Sequence, residues 1–186
     1  MKGFRPNRRY SAAREMMEEN ENRSALRGAQ YDGGGCQYLG TPYCVVKIDP
    51  GHTLRKIPAA KGEVMDLPKL VENFLGERKY GSSESFSVTL DELKEQIEKL
   101  ERDAVVSDEA KPILRIKEWF FNPCLVARCM EVLDADEAVL EFNLDRKHSL
   151  IAVYAEKGLG VVAPLNSNRL EDTGRYERYV PISQRG

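Results

Sequence analysis

The stretch FFNPCLVARCMEVLDADEAVLEFN, residues 120–143, constrains the fold of this 186-residue chain more than any other segment. Asn122 is a residue type that caps helix N-termini, and Pro123 is tolerated at the first helical position because its missing amide donor would have no partner there. Apolar residues then recur at helical spacing. They are Leu125, Val126, Cys129, Met130 and Leu133. We therefore predict a helix that begins at Asn122 and buries one face.

Three apolar runs follow this helix, at residues 138–143, 149–156 and 158–165. Polar segments separate the runs, which is typical of antiparallel strands joined by turns. An order of strand, helix and antiparallel strands also occurs earlier in the chain. The sequence thus predicts an α+β fold of antiparallel sheets, with helices packed on one face and two pseudo-repeated modules.

Composition shifts suggest four regions along the chain. We expect residues 1–10 to be a flexible basic arm, 11–80 a first and truncated module, 84–166 a second module, and 167–186 a C-terminal tail. Ser11 is the expected cap of a helix over 11–22. Asp66 is expected to cap a second helix, and Thr89 with Glu92 forms a capping-box pattern at the start of a third.

Charge and cysteine content give no indication of a cofactor. The formal net charge is −2, so the whole molecule offers no general attraction for nucleic acid. The spacing of the four cysteines is unlike that of zinc sites, and we expect reduced, buried thiols with no metal. No apolar run follows the basic start and none is long enough to span a bilayer, so we expect a cytoplasmic protein without membrane contact.

Residues 120–165 resemble the last domain of the bacterial DNA polymerase β sliding clamp family. The matching pieces are Phe121-Asn122 at the helix start, Asp136-Glu137 in an acidic turn, and the terminal run Val161-Val162-Ala163-Pro164-Leu165. The segments 23–48, 62–75 and 86–100 resemble further strands and helices of that family. The resemblance implies a DNA-clamp-like fold without catalytic activity, acting as a processivity factor or accessory protein in DNA replication.

The same resemblance implies an apolar groove that accepts a short peptide from a polymerase or another replication protein. One wall would contain Leu39, Thr41, Pro42, Tyr43 and Cys44, and the other Val161, Val162, Ala163, Pro164 and Leu165. The alternative is that these residues are strand ends buried in the core. The basic pair of the family's turn motif is absent from residues 40–44.

Sliding clamps encircle duplex DNA, so the resemblance makes duplex DNA a candidate partner and a homo-oligomeric ring a candidate assembly. The candidate DNA contacts are Arg5, Arg8, Arg9, Lys94 and Arg128. Every predicted helix carries more acidic than basic side chains, however, whereas a surface that faces phosphates needs an excess of Lys and Arg. An alternative function is therefore a degenerate clamp-fold scaffold or adaptor of a phage or mobile element that does not encircle DNA.

A second alternative is a hydrolase centred on His148, since Asp145, His148 and Ser149 lie close together in sequence. They also fall where a turn between two strands is expected, and a polar turn explains them more simply. We therefore expect no enzymatic activity.

Overall fold

Four α-helices lie in the part of the chain that the computed structural model describes, namely residues 7–20, 23–78, 83–103, 112–143, 150–165 and 177–178. They are α1 (Arg8–Glu19), α2 (Leu67–Arg78), α3 (Leu90–Asp103) and α4 (Pro123–Val132). A short 3-10 helix, Ser24–Leu26, follows α1. Three of the α-helices begin where the sequence predicts.

Side-chain caps account for these three helix starts. The Asn122 carboxamide accepts a hydrogen bond from the Cys124 amide at 2.9 Å. The Asp66 carboxylate accepts one from the Lys69 amide, also at 2.9 Å. At α3, the Thr89 hydroxyl accepts from the Glu92 amide at 3.2 Å and donates to the Glu92 carboxylate at 3.1 Å. The predicted caps are confirmed.

The predicted start of the first helix at Ser11 is wrong. The helix begins at Arg8, because the Asn7 side chain accepts a hydrogen bond from the Arg9 amide at 3.2 Å and so caps the chain earlier. Arg8, Arg9 and Tyr10 are therefore helical rather than part of an arm. Residues 1–6 of the predicted arm lie outside the described residues.

Ten strands of the described residues form two sheets. The strands are β1 (Gln30–Tyr31), β2 (Gln37–Gly40), β3 (Cys44–Ile48), β4 (Ser83–Thr89), β5 (Leu114–Ile116), β6 (Trp119–Phe121), β7 (Glu137–Asn143), β8 (Ile151–Ala155), β9 (Gly158–Val162) and β10 (Glu177–Arg178). The larger sheet is antiparallel throughout, in the order β1-β2-β3-β9-β8-β7-β4. The smaller sheet has the order β10-β5-β6, and its β10–β5 pair is parallel. The α+β class with an antiparallel sheet is confirmed.

The two predicted modules share the larger sheet. Strand β3 of the first pairs along its whole length with β9 of the second, with Val46 opposite Gly160. The pairing does not confirm a pseudo-repeat, and the module boundaries stay a prediction. Apart from residues 177–178, the predicted tail beyond 166 lies outside the described residues.

The prediction that the helices share one face of the sheet is wrong for α2. In β3, Cys44, Val46 and Ile48 belong to the core cluster that contains residues of α1, α3 and α4, whereas Val45 belongs to a cluster with α2. Alternate residues of a strand point to opposite faces, so α2 covers the other face. The reason is that β9 is buried at all five positions and needs a cover on both sides.

Helix α4 is the centre of the helical layer. It contacts α1 and α3 on its two sides and strands β3, β8 and β9 beneath it. The close approach to β9 depends on Gly160, where an added Cβ would lie 2.8 Å from the Cβ of Cys129 and 3.2 Å from that of Val153. Position 160 is therefore restricted to glycine by packing.

An aromatic cluster attaches the smaller sheet to the larger one. The rings of Phe86, Trp119 and Phe121 surround Phe142, with centroid distances to it of 5.8, 5.5 and 6.2 Å respectively. Two of these contacts have the edge-to-face geometry that aromatic pairs prefer. The cluster closes the core at the β4–β7 end of the sheet.

Replacing Gly160 with Ala should destabilise the protein by about 1–3 kcal/mol, because the new methyl group overpacks the α4–β9 contact. Urea unfolding followed by circular dichroism measures the change. Gly76 in α2 is a matched control, since no atom other than its chain neighbours and the backbone of its own helix lies within 4 Å of a Cβ added there. Gly76→Ala should raise stability by about 0.5–1 kcal/mol. Equal effects at both positions would contradict the packing explanation.

Candidate partner-binding site

The two segments predicted to form the walls of a groove lie side by side. Strand pairing places Cys44 opposite Val162. Beyond the end of β9, the Ala163 amide donates a hydrogen bond to the Tyr43 carbonyl at 2.8 Å. Two pieces of chain about 120 residues apart are thus joined by main-chain hydrogen bonds.

The turn between β2 and β3 controls the position of Tyr43. The Thr41 hydroxyl accepts hydrogen bonds from the amides of Tyr43 at 3.3 Å and Cys44 at 3.1 Å. The Thr41 amide in turn donates to the Cys44 carbonyl at 2.7 Å. The turn is thus stabilised by hydrogen bonds among its own residues, and the side chain of Tyr43 remains 59% exposed.

Half of the ten predicted groove residues are buried and half are accessible. The buried ones are Leu39, Thr41, Cys44, Val161 and Val162. Pro42 and Tyr43 are exposed, and Ala163, Pro164 and Leu165 are half-buried. We call these five accessible residues the 42–165 patch. The buried residues support the patch from below, so a partner could touch the five accessible ones only.

A contact that the sequence does not indicate fixes the far end of the patch. The Leu165 amide donates a hydrogen bond to the Phe120 carbonyl at 2.8 Å. Phe120 is buried, and the Arg115 guanidinium lies 5.2 Å from the centroid of its ring. The apolar run 119–121 could have indicated a buried hairpin, but nothing in it points to Leu165.

Two buried cysteines lie beneath the patch. Cys44 Sγ is 3.3 Å from Thr41 Oγ1, and its thiol also shares a hydrogen bond with Cys129 in α4. This hydrogen bond and complete burial raise the pKa of the Cys129 thiol well above its usual value. The Cys129 thiol is therefore protonated and enclosed, which makes it a packing group rather than a nucleophile. Within the described residues, no group of three or more His, Cys, Asp or Glu side chains is placed to hold a metal ion.

Each candidate DNA contact in the described residues already has partners within the chain. Arg8 pairs with Asp136 at 2.9 Å and with Asp134 at 3.4 Å. Arg9 donates to the main-chain carbonyls of Val132 at 2.8 Å and His52 at 2.6 Å. Arg5 lies outside the described residues.

The other two candidate DNA contacts, Lys94 and Arg128, form ion pairs between helices. Lys94 of α3 pairs with Glu131 of α4 at 2.6 Å. Arg128 of α4 pairs with Glu19 and, at 3.6 Å, with Glu15 of α1. These cations therefore link α3 to α4 and α4 to α1, and the charge they could offer to a phosphate is largely neutralised.

The observed helix bounds change the charge balance expected from sequence. Helix α1 contains three arginines and three glutamates, because it begins at Arg8, and α4 contains one residue of each sign. Only α3 of this layer has an acidic excess, with six acidic residues against three basic ones. The prediction that every helix is net negative is therefore wrong. The positive charges of Arg8, Lys94 and Arg128 are instead neutralised by ion pairs with carboxylates of the chain.

Asp145, His148 and Ser149, the hypothetical hydrolase group, lie outside the described residues. None of the helices in the described ranges is long and apolar enough to cross a membrane.

Asp134, in the turn after α4, allows the interaction of its carboxylate with Lys157, Arg8 and Arg9 to be tested by varying the pH. Asp134 has a positive φ of 54°, a conformation that Asn also tolerates, so Asp134→Asn removes charge with little backbone effect. The hydrogen bond from Lys157 at 2.6 Å, assisted by the charges of Lys157, Arg8 and Arg9, lowers the pKa of Asp134.

A carboxylate whose pKa is lowered by folding stabilises the folded state at pH values above its pKa in the unfolded chain, about 3.9. This stabilisation is lost as the pH falls through the pKa of the folded state. Wild type should exceed Asp134→Asn in stability by up to about 1 kcal/mol at pH 7, since the carboxylate is partly exposed. The difference should vanish as the pH falls below about 4 in urea titrations. Glu63→Gln, at an exposed loop carboxylate, is the control and should show no such trend; a difference independent of pH at position 134 would refute this assignment.

Comparison with solved structures identifies the fold. The chain is similar to DNA polymerase III subunit beta from Borrelia burgdorferi, with 10% sequence identity and a TM-score of 0.51, over 86% of this chain and 62% of that chain. The DNA polymerase sliding clamp from Bacillus subtilis is 11% identical over 72% of this chain and 42% of that chain, and its TM-score of 0.34 adds no weight. No protein-family model and no curated protein matches the chain. The chain therefore has a sliding-clamp-like fold, and it spans less than two thirds of the Borrelia burgdorferi chain.

Proposed function

We propose that this chain is a non-enzymatic, sliding-clamp-like accessory protein of DNA replication that binds protein partners through the 42–165 patch. The similarity in fold to a DNA polymerase III beta subunit supports the replication context. The 2.8 Å hydrogen bond from Ala163 to Tyr43 carries the proposal, because it joins two distant segments into one accessible apolar surface.

The chemistry of the patch suits an extended apolar peptide. An exposed aromatic ring, two prolines and a half-buried leucine provide apolar contact area with few polar groups that would need a partner. The Tyr43 hydroxyl adds one hydrogen-bonding group at the surface. Because β3 and β9 are paired along their length, the patch needs no rearrangement before it binds.

The charge pairing favours an adaptor that does not encircle DNA. A surface that encloses a duplex must present cations to the phosphates. Arg8, Arg9, Lys94 and Arg128 are instead engaged with carboxylates or carbonyls of this chain. We therefore propose the scaffold or adaptor form of the function, with replication proteins as partners and duplex DNA excluded from the helical layer.

Tyr43→Glu should weaken binding to a replicative DNA polymerase from the same host by at least tenfold, because a carboxylate would be buried against apolar groups. Biolayer interferometry with the immobilised chain measures the dissociation constant. Tyr31→Glu is the matched control, since Tyr31 is also exposed, at 49%, but lies on β1 outside the patch. Equal losses in the two variants, or none in Tyr43→Glu, would refute the assignment of the patch.

The chain should not raise the processivity of that polymerase on primed circular DNA and should not remain bound to closed circles. The Bacillus subtilis sliding clamp with its own polymerase is the positive control for the assay. Light scattering on the same sample reports whether the chain forms a ring. A ring together with longer extension products would contradict the non-encircling form, whereas the result with Tyr43→Glu would still test the patch independently.

A further inference from the structure

An open cleft of about 1020 Å³ lies at the C-terminal end of α1, between that helix and the loop that precedes α2. Its apolar lining comes from Met17, Pro58 and Ala59, and its charged lining from Glu18, Arg27 and Lys61. The volume lies just above the range of about 300–1,000 Å³ that small-molecule sites occupy. None of the lining residues belongs to the 42–165 patch, so the cleft is a separate feature.

The cleft is formed by main-chain contacts and exists before any ligand binds. The Ala29 amide donates to the Pro58 carbonyl at 2.8 Å, and the Ala60 amide donates to the Ala29 carbonyl at 2.8 Å. Gly28 has a φ of +84°, and a Cβ added there would lie 2.6 Å from the Cα of Ala60. The two segments thus approach each other so closely that glycine is required at position 28.

The loop is also anchored beyond the cleft. The Gln37 carboxamide donates to the Leu54 carbonyl at 3.1 Å and accepts from the Leu54 amide at 2.7 Å. At the other end, the Met65 amide donates to the Ala25 carbonyl at 2.8 Å. An irregular loop fixed at both ends presents a defined wall, and such preorganisation lowers the entropic cost of binding.

The charges at the cleft are not paired with one another. Among the described residues, Glu18, Arg27 and Lys61 take part in no ion pair, in contrast to Arg8, Lys94 and Arg128. The Arg27 Nε group donates to the Asn20 carbonyl at 3.4 Å, which leaves the terminal nitrogens of the guanidinium available. Among the described lining residues, two available cations against one carboxylate favour an anionic ligand.

We propose that this cleft binds a small organic anion with an apolar body, held by contact with Met17, Pro58 and Ala59 and by the charges of Arg27 and Lys61. A pocket that is largely apolar with a few placed polar groups is the usual form of a small-molecule site. The carboxylate of Glu18 has the same negative charge as the ligand, so it repels the ligand and weakens anion binding. The site is independent of the proposed partner patch and of its tests.

Fluorescence titration with 8-anilinonaphthalene-1-sulfonate, an aromatic sulfonate, tests the proposal on the full chain. Wild type should show saturable binding with one site. The double variant Arg27→Gln/Lys61→Gln should bind at least about fivefold more weakly, and Glu18→Gln about twofold more tightly. N-phenyl-1-naphthylamine, which lacks the sulfonate, should bind all of these variants equally.

Arg55→Gln/Lys56→Gln is the matched control, because it removes the same charge from exposed positions of the same loop outside the cleft. It should leave the affinity for the sulfonate unchanged. Circular dichroism of each variant verifies the fold. Absence of saturable binding, an unchanged affinity in Arg27→Gln/Lys61→Gln, or an equal loss in the control would overturn the proposal.

Discussion

The pairing of β3 with β9 is the interaction on which the rest of the structure depends. It joins residues 44–48 to residues 158–162 and so makes one sheet from strands that are distant in sequence. Because β9 is buried at all five positions and β3 at four of five, the paired strands need a cover on both faces, which α4 and α2 provide. The accessible residues at the ends of these strands then become the 42–165 patch, on which the proposed function rests.

The basic side chains of the helical layer that were candidate DNA contacts are engaged within the chain. Lys94 and Arg128 connect the helices to one another, and Arg8 connects α1 to the turn after α4. Arg8, Arg9 and Lys157 all converge on Asp134 or its surroundings, where the chain leaves α4. Each surface ion pair of this kind contributes little to the free energy of unfolding. A cation that is paired in this way is, however, less available to a phosphate group.

Local sequence signals predicted most helix starts and strands, since caps and apolar periodicity act over a few residues. Asn122, Thr89 and Asp66 are examples. The start of α1 was mispredicted because Asn7 and Ser11 are both good caps, and only the contacts of Arg8 and Arg9 with the end of α4 distinguish them. The placement of α2 and the Phe120–Leu165 contact depend on long-range packing, which leaves no local pattern. The resemblance to sliding clamps predicted that the two segments of the patch lie side by side, but it did not indicate which of their residues are buried.

Binding at the patch can be observed residue by residue with amide NMR spectra of the labelled chain, recorded while a replicative polymerase from the same host is added. The account predicts that the signals of Tyr43, Ala163 and Leu165 shift together, while those of Lys94 and Arg128 in the helical layer stay in place. Shifts centred on α3 and α4, with the signals of Tyr43 and Ala163 unmoved, would contradict it.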